Sequence, residues 1–338
     1  MYKIKQQPSD FIVKEISNIK VSDKGKYTYF KLYKEKWNTL DAVKKISQIL
    51  NLPGKDLGFA GNKDKTAVTE QFCSIRGNIS KERLEKIDIN RIKLTFLGYG
   101  DEPITLGRLA GNEFIIVVRN LEKYSQKHPK TILLPNYFDE QRFGTNNVEI
   151  GRALIKKDFR KAVELINNER SNEHLNKAKN DFIGALKKMP IRLLKFYINA
   201  YQSYLWNLTL SGYLEKNGKA TKKIKYSLGE FVFAKEIIKK LKIPLVGFDD
   251  KIIKPELKKI IKEIMEKEEI NFNDFIIKQM PELSQEGESR NAFFEASNLN
   301  IKKLEKDELN PGKKKITVSF TLPKGSYATL VIKYLFEP

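Results

Sequence analysis

The order of the predicted elements indicates an α/β core that is interrupted by an α-rich insertion. β-Branched and aromatic residues dominate the first third of the chain, helical periodicity dominates the middle, and strand character returns near Ser319. Strands followed by helices and again by strands favour such an insertion. At 338 residues the chain also exceeds the usual size of one domain, which allows two domains or a large insertion.

The first third is predicted to be rich in strands. "DFIVKEI" and "KYTYFKLYKEK" alternate or cluster β-branched and aromatic residues, and "LGFAG", "EQFCSIRG", "RIKLTFLGYG" and "NEFIIVVRN" are further strand candidates. A helix is predicted in "TLDAVKKISQILNLPG", with Thr39 as its N-cap and with Pro53 and Gly54 ending it. The helix face that is predicted to be buried carries Leu40, Val43, Ile46 and Leu50.

The remainder is predicted to be helical first and then to return to strand. Helical periodicity runs from about Val148 to Asn217 and again through "KPELKKIIKEIMEKEEI". A strand is predicted in "KITVSFTLP", before "GSYATLVIKYLF" closes the chain. The charged run "NIKKLEKDELNPGKKK" is predicted to be a solvated connector without a function.

Composition and charge point to a globular protein with a polyanionic partner. Hydrophobic residues make up 41% of the chain, no run approaches 18 apolar residues, and "MYKIKQQPSD" lacks the apolar region of a signal peptide. The lone Cys73 excludes an internal disulfide framework, so we expect a cytoplasmic protein. The net charge of +21 favours nucleic acid as the partner. A compositional bias toward Lys, Ile and Asn, as an AT-rich genome produces, would explain why Lys outnumbers Arg. It would not explain why basic residues outnumber acidic residues.

Several familiar chemistries find no support in the sequence. His128 and His174 stand far apart without the spacing of metal ligands, so no metal site is expected. A P-loop requires Gly immediately before Lys-Ser/Thr, whereas Asp64 precedes Lys65 here. The N-K-x-D motif of GTPases would place its Asp at position 65, one residue later than Asp64.

Asp64 is the residue that these exclusions leave unexplained. Lys63 and Lys65 flank it, and Gly61 allows an unusual backbone angle, which together describe an ionised carboxylate on a tight loop. Such a charge lowers the affinity of a cationic cleft for RNA, which makes sense if the carboxylate acts chemically on a nucleotide. The alternative is an aspartate that caps its own turn. The residues alone leave both interpretations open.

The stretch around Asp64 resembles a known family. "FAGNKDKTAVTEQ" is similar to the signature A-G-x-K-D-K/R-x-A-x-T-x-Q of the TruD-type tRNA pseudouridine synthases, in an archaeal-like form. "DFIVKE", "GRLAGNEF", "NYFDEQRFG", "AYQSYLWN" and "LPKGSYATLVIKYL" resemble further motifs of this family, in family order. The last motif usually continues into Arg-Glu-Leu and here continues into Lys333, Tyr334 and Leu335. The matches span the chain from residue 10 to residue 335.

The resemblance implies a fold and an activity. The fold would be α+β with a mixed, largely antiparallel sheet, in which residues 1–145 and 295–338 form a pseudouridine synthase catalytic domain. Residues 146–294 would form the inserted TRUD domain and the other wall of an RNA cleft. The implied enzyme isomerises U13 of tRNA, has neither cofactor nor metal, does not bind membranes and is a monomer. A non-catalytic RNA-binding or chaperone protein on the same fold is the alternative, against which the intact motif around Asp64 argues.

The resemblance also implies roles for individual residues. Asp64 would be the catalytic aspartate, and the candidate substrate-binding residues are Lys63, Lys65, Asn112, Phe114, Gln141, Arg142 and Tyr327. Phe114 is the candidate platform for the extruded base, with core packing as the alternative, and the i, i+2 spacing places Asn112 on the same side of the strand.

Other roles stay open at this stage. Lys63 and Lys65 would hold phosphates or tune Asp64, and Gln141 and Arg142 would brace a loop or touch the RNA backbone. Tyr327 would line the pocket. Tyr201 and Trp206 stand at helical spacing among apolar residues and are predicted to be core.

Overall fold

The structure is a computed structural model that describes residues 1–126, 128–235, 240–249 and 254–337. These residues form two compact units, of which the first comprises 1–132 with 295–328 and the second 133–294 with 329–338. The predicted inserted domain, 146–294, falls within the second unit, and its boundaries as a family domain stay a prediction. Within the described ranges, every helix is too short or too polar to span a lipid bilayer.

The strands and helices follow the chain in this order. The strands are β1 (Phe11–Ile16), β2 (Tyr27–Glu35), β3 (Leu57–Phe59), β4 (Val68–Arg76), β5 (Ile92–Gly100), β6 (Gly111–Leu121), β7 (Ile132–Pro135), β8 (Ala220–Tyr226), β9 (Gly229–Ala234), β10 (Lys242–Pro244), β11 (Ser289–Asn291), β12 (Phe293–Ile301), β13 (Glu305–Lys306) and β14 (Lys314–Pro323). The helices are α1 (Thr39–Leu50), α2 (Lys81–Glu85), α3 (Asn147–Ile155), α4 (Phe159–Ile166), α5 (Glu169–Lys177), α6 (Phe182–Lys187), α7 (Ile191–Asn217), α8 (Pro255–Lys267) and α9 (Ala328–Phe336).

A mixed sheet forms the centre of the first unit. Its strands lie in the order β5-β2-β4-β1-β6-β14-β12. β1 runs parallel to β4 and antiparallel to β6, and β2 is antiparallel to both β4 and β5. Because β14 is also antiparallel to β6 and to β12, the prediction of a mixed, largely antiparallel sheet is confirmed. Strands that are far apart in sequence, such as β1 and β6, thereby become neighbours.

Helix α1 covers one face of this sheet, but two details of its prediction were wrong. Asn38, not Thr39, is the N-cap, since its side chain accepts a hydrogen bond from the backbone N–H of Asp41. Leu40 is 58% exposed, because Thr39, one turn before Val43, takes the buried position. The helix ends at Leu50, where Asn51 adopts a left-handed φ of 55° before Pro53 is reached.

The second unit is built around the long helix α7. Tyr201 and Trp206 on this helix are 0% exposed, which confirms the prediction that they are core residues. The predicted helices are present, but β8 and β9 form an antiparallel hairpin that the sequence did not predict. β8 is rich in lysine, and only Ile224 in it is buried, so it lacks the alternation that indicates a strand.

The charged run before β14 is more than the solvated connector that was predicted. Its Asp307 is 2% exposed and accepts a hydrogen bond from the guanidinium of Arg119 at 2.8 Å. Arg119, 1% exposed, also binds Asp10 through Nε and Nη2. The ion cluster therefore fastens this run to β6 and to the residue before β1.

Candidate active site

The loop between β3 and β4 carries Asp64 and is fixed by buried side chains. Gln71, 0% exposed, donates from Nε2 to the carbonyl of Gly61 at 3.1 Å. The hydroxyl of Thr39 donates to Oε1 of Gln71 and accepts from the backbone N–H of Lys63, both at 3.0 Å. These bonds place the start of α1 and the fourth residue of β4 against the same loop, so its backbone is held from two sides.

A buried lysine holds the same loop from a third side. Nζ of Lys34, in β2, donates to the carbonyl oxygens of Trp37, Asp64 and Lys63 at 2.7, 3.2 and 3.3 Å. Lys34 is 0% exposed, and burial lowers the pKa of its amine to about 8 against an attraction from Asp64 that raises it. The ammonium group of Lys34 thereby binds the backbone carbonyls of both Lys63 and Asp64, the two central residues of the loop.

The carboxylate of Asp64 points to an open side of the loop and has a distant cation as its partner. Its side chain is 50% exposed, and Oδ2 lies 2.8 Å from Nζ of Lys5. Lys5 also lies over the ring of Phe11, with 4.2 Å between Nζ and the ring centroid. The sequence left open whether the flanking lysines tune Asp64 or hold phosphates, and the ion pair of Asp64 is made by Lys5, 59 residues earlier in the chain.

Gly61 does not play the role that was predicted for it. Its φ lies outside the left-handed region, and an added Cβ would meet nothing within 4 Å. The prediction of an unusual backbone angle there was wrong, because side-chain hydrogen bonds to the loop backbone, not a special φ, fix the turn.

Lys63 turns away from the open side and links two strands. Its Nζ lies 3.0 Å from Oε1 of Glu15, whose side chain is 0% exposed, and donates to Oδ1 of Asn112 at 2.6 Å. Glu15 in turn accepts from the backbone N–H of Phe72 at 2.9 Å. Lys63 thus joins Asn112 to the Asp64 loop, while Lys65 is exposed, and the contact of Asn112 with a substrate stays a prediction.

Phe114 lies on β6, two residues beyond Asn112, and is enclosed by other rings. It is 8% exposed, stacks on Phe320 with the centroids 5.7 Å apart, and meets Phe11 edge-on at 6.1 Å. The ring is therefore part of the core in this structure. Its service as a platform for a base stays a prediction.

Three loops that carry matched motifs meet at this end of the sheet. Gly107, before the "GNEF" segment, donates its backbone N–H to the carbonyl of Ala60 at 2.7 Å. Lys324, in the last motif, donates from Nζ to the carbonyl of Gly107 at 3.1 Å. Tyr327 follows three residues later and is half-buried, so the structure places it on a loop that is joined to the Asp64 loop through Gly107.

Gln141 and Arg142 belong to the second unit. They lie in a short 3-10 helix, Glu140–Arg142, in which Gln141 is exposed. Arg142 donates from Nε to the hydroxyl of Ser203 at 3.3 Å and lies 5.3 Å from the ring of Phe196. It lines a polar cleft of about 660 Å³ on this unit. The contact with α7 fits the bracing role, and contact with RNA stays a prediction.

Sequence reasoning missed several residues that build the site. Lys5, Glu15 and Gln71 were not given roles, although Glu15 and Gln71 lie inside matched motifs, and Thr39 was predicted only as a helix N-cap. Lys34 was also missed, and a signal for it exists. It shares the face of β2 that carries Phe30 and Leu32, both 0% exposed, and a lysine in an apolar row requires a partner.

The arrangement suits chemistry on a nucleoside. A half-exposed carboxylate is held on a fixed backbone, with a cation beside it, and carboxylates of this kind act at anomeric carbons in glycosidases. Among the residues in the described ranges, no three His, Cys, Asp or Glu side chains are grouped so that they could hold a metal ion.

Comparisons with known proteins find relatives along nearly the whole chain. The family model described as "tRNA pseudouridine synthase D (TruD)" matches residues 2–174, 166–236 and 233–335. The tRNA pseudouridine synthase D of Aquifex aeolicus is 33% identical over 387 aligned positions, which cover 99% of this chain and 98% of that protein. A Methanococcus maripaludis relative assigned to tRNA pseudouridine synthase D 1 is 31% identical, with 99% of both chains covered. A crystal structure from Methanosarcina mazei, assigned to TruD, superposes with a TM-score of 0.76 at 26% identity, covering 99% of this chain and 93% of that one.

Proposed function

Since the chain belongs to the TruD family of tRNA pseudouridine synthases, we propose that it isomerises U13 of tRNA and that Asp64 is its catalytic carboxylate. That the protein is a tRNA pseudouridine synthase follows from the family. The choice of uridine and the use of Asp64 are the proposal. The observation that carries it is the carboxylate of Asp64, 50% exposed on a loop whose backbone is fixed by Lys34, Thr39 and Gln71.

The reaction is balanced without a second substrate. The C1′–N1 bond of uridine breaks, the uracil turns, and a C1′–C5 bond forms. The hydrogen on C5 leaves as a proton, and N1 gains a proton. Because no electrons are exchanged and no group is transferred to an acceptor, we propose that the enzyme works without metal or cofactor.

Asp64 can serve this reaction in more than one way. Its carboxylate can stabilise positive charge on C1′, attack C1′ as a nucleophile, or remove the proton from C5. Each role needs an ionised carboxylate that a base outside the helical stack can reach. The carboxylate lies beside the cation of Lys5, and the exposed half of the side chain supports access.

Phe114, Asn112 and Tyr327 are the candidates for holding the target nucleotide. Asn112 is tied to the Asp64 loop through Lys63, and Tyr327 lies three residues after Lys324, whose Nζ donates to the carbonyl of Gly107. Lys65, exposed beside Asp64, is the candidate for a phosphate contact, and Gln141 and Arg142 are candidates for the RNA backbone. We further propose that the enzyme acts as a cytoplasmic monomer, as the family resemblance implies.

The test is the variant Asp64→Asn. This change keeps the size of the side chain and removes its charge, so the chemistry should stop. tRNA affinity should hold or increase, because a negative charge that faces phosphates is lost. Single-turnover reactions with excess enzyme, followed by carbodiimide primer extension on the tRNA, measure pseudouridine at each position. A tRNA with cytidine at position 13 should give no signal.

A matched control separates charge from chemistry. Asp101→Asn removes the same charge from an exposed position after β5 and should leave the yield unchanged. Near-normal pseudouridine formation by Asp64→Asn would overturn the catalytic role of Asp64. A signal that persists with cytidine at position 13 would overturn the choice of uridine.

A further inference from the structure

We propose that Lys34 is a positioning residue whose charged amine holds the Asp64 loop in its working conformation, so that losing one proton from Lys34 slows the reaction. The inference rests on the proposed role of Asp64. Lys34 itself would touch neither the base nor the ribose, since it is 0% exposed and lies beneath the loop.

The contacts of Lys34 use its whole hydrogen-bonding capacity. The ammonium group has three N–H donors, and the structure gives it three backbone acceptors: the carbonyls of Trp37, Asp64 and Lys63, at 2.7 to 3.3 Å. Two of these carbonyls belong to the loop that carries the catalytic carboxylate. The position of the Asp64 backbone therefore depends on Lys34 directly.

The surroundings of Lys34 are mostly apolar. On its own strand, Phe30 and Leu32 share its face, and its cross-strand neighbours are Thr69 on β4 and Ile92 on β5. The charged groups that act on it are Asp64, which raises the pKa of the amine, and Lys63, which lowers it. Burial is the largest influence, and together they bring the pKa to about 8 from an ordinary 10.5.

Deprotonation removes one donor from an arrangement that needs three. A neutral amine has two N–H groups and a lone pair, so one carbonyl loses its partner and faces the lone pair instead. The acceptors at the longest distances are the carbonyls of Asp64 and Lys63, so these contacts are the ones that deprotonation loosens. The result is a loop in which Asp64 is less well placed.

The proton on Lys34 should have opposite effects on activity and on stability. A lysine whose folded-state pKa is lowered binds its proton more weakly when folded than when unfolded. The cost of burying the charge is therefore present in full below pH 8 and is relieved as the pH rises toward 10.5. As the pH rises from about 8 toward 10.5, activity should therefore fall while the free energy of unfolding rises, because Lys34 loses its buried charge. A residue with a purely structural role would instead change activity and stability in the same direction.

The experiment compares the unmodified enzyme with Lys34→Met, which keeps the length of the side chain without its charge. Single-turnover rates of pseudouridine formation are measured from pH 6.5 to pH 9.5. In the unmodified enzyme the rate should fall with a midpoint near pH 8. In Lys34→Met the rate at pH 7 should be about ten- to a hundredfold lower, since small displacements of a reacting group cost this much, and the fall near pH 8 should be absent.

Lys31→Met is the matched control. Lys31 lies on the same strand, on the other face, with its Nζ 5.6 Å from the ring of Phe72. The variant loses the same charge and should keep the fall in rate near pH 8. A fall near pH 8 that survives in Lys34→Met would overturn the proposal.

A second measurement does not depend on catalysis. Amide hydrogen exchange of residues 61–66, corrected for the intrinsic effect of pH, should show lower protection at pH 9 than at pH 7 in the unmodified enzyme. The melting temperature of the unmodified enzyme, relative to Lys34→Met, should rise over the same interval. Equal protection at both pH values would refute the positioning role even if Lys34→Met were too unstable to assay. Activity in Asp64→Asn would instead refute the proposed function, so the two failures are distinguishable.

Discussion

Replacing Phe114 by leucine separates the two roles that this ring could have. Phe114 is 8% exposed and packs against two other rings, so any substitution lowers stability as well as any function it has. Truncation to alanine would cost about 3–5 kcal/mol of unfolding free energy. Leucine fills most of the same volume and removes only the aromatic face, which is the part that a stacked base needs.

The ring contacts of Phe114 set the expected loss of stability, and the usual worth of stacking one base sets the expected loss of rate. Phe114→Leu removes two aromatic pairs, with Phe320 at 5.7 Å and with Phe11 at 6.1 Å. At about 0.5–1.5 kcal/mol each, their loss should lower the free energy of unfolding by about 1–3 kcal/mol. Loss of stacking on one base is worth about 1–3 kcal/mol, which is a decrease of about 5- to 150-fold in the single-turnover rate.

Phe320→Leu provides the control for this experiment. Phe320 is 1% exposed and is the stacking partner of Phe114, so its replacement disturbs the same part of the core. Urea unfolding gives the stability of each variant, and single-turnover rates are divided by the folded fraction. Phe114→Leu should be slower per folded molecule, whereas Phe320→Leu should match the unmodified enzyme. Equal rates per folded molecule for the two variants would show that Phe114 is a core residue only.

Three further predictions follow from the charges. With a net charge of +21, the logarithm of the affinity for tRNA should fall linearly with the logarithm of the salt concentration, with a slope of about 0.7 to 0.9 for each phosphate neutralised, and a flat titration would exclude binding through phosphates. Glu15→Gln leaves the ammonium of Lys63 without its buried carboxylate, so urea unfolding should show a loss of about 3–5 kcal/mol; a loss below about 1 kcal/mol would contradict a stabilising pair. Burial opposes the ionisation of Asp307, but hydrogen bonds from backbone N–H groups, Asn310 and Arg119 outweigh it and hold its pKa well below the ordinary 3.8. Stability from this group is present above about pH 4 and lost as the pH falls further, so Asp307→Asn should be less stable than the unmodified protein at pH 7 and differ less at pH 3.

The sequence by itself determined most of the local elements and the family of the protein. Periodicity and β-branched clusters identified β1, β2, β6 and the long helix α7, because these signals depend only on neighbouring residues. The motif around Asp64 identified the family through the order of residue types. Both kinds of inference need no knowledge of which strands become neighbours.

The tertiary structure alone decided which charged and polar side chains meet. Asp64 pairs with Lys5 across 59 positions, and Lys63 reaches Asn112 across 49, although lysines flank Asp64 directly in the sequence. These partners are fixed by the order of β4, β1 and β6 in the sheet, which places distant segments side by side. Adjacent residues on a loop, by contrast, can point in different directions. Lys34 is the clearest case: the sequence places a lysine in an apolar row of β2, but only the tertiary structure shows that the carbonyls of Trp37, Lys63 and Asp64 are its partners.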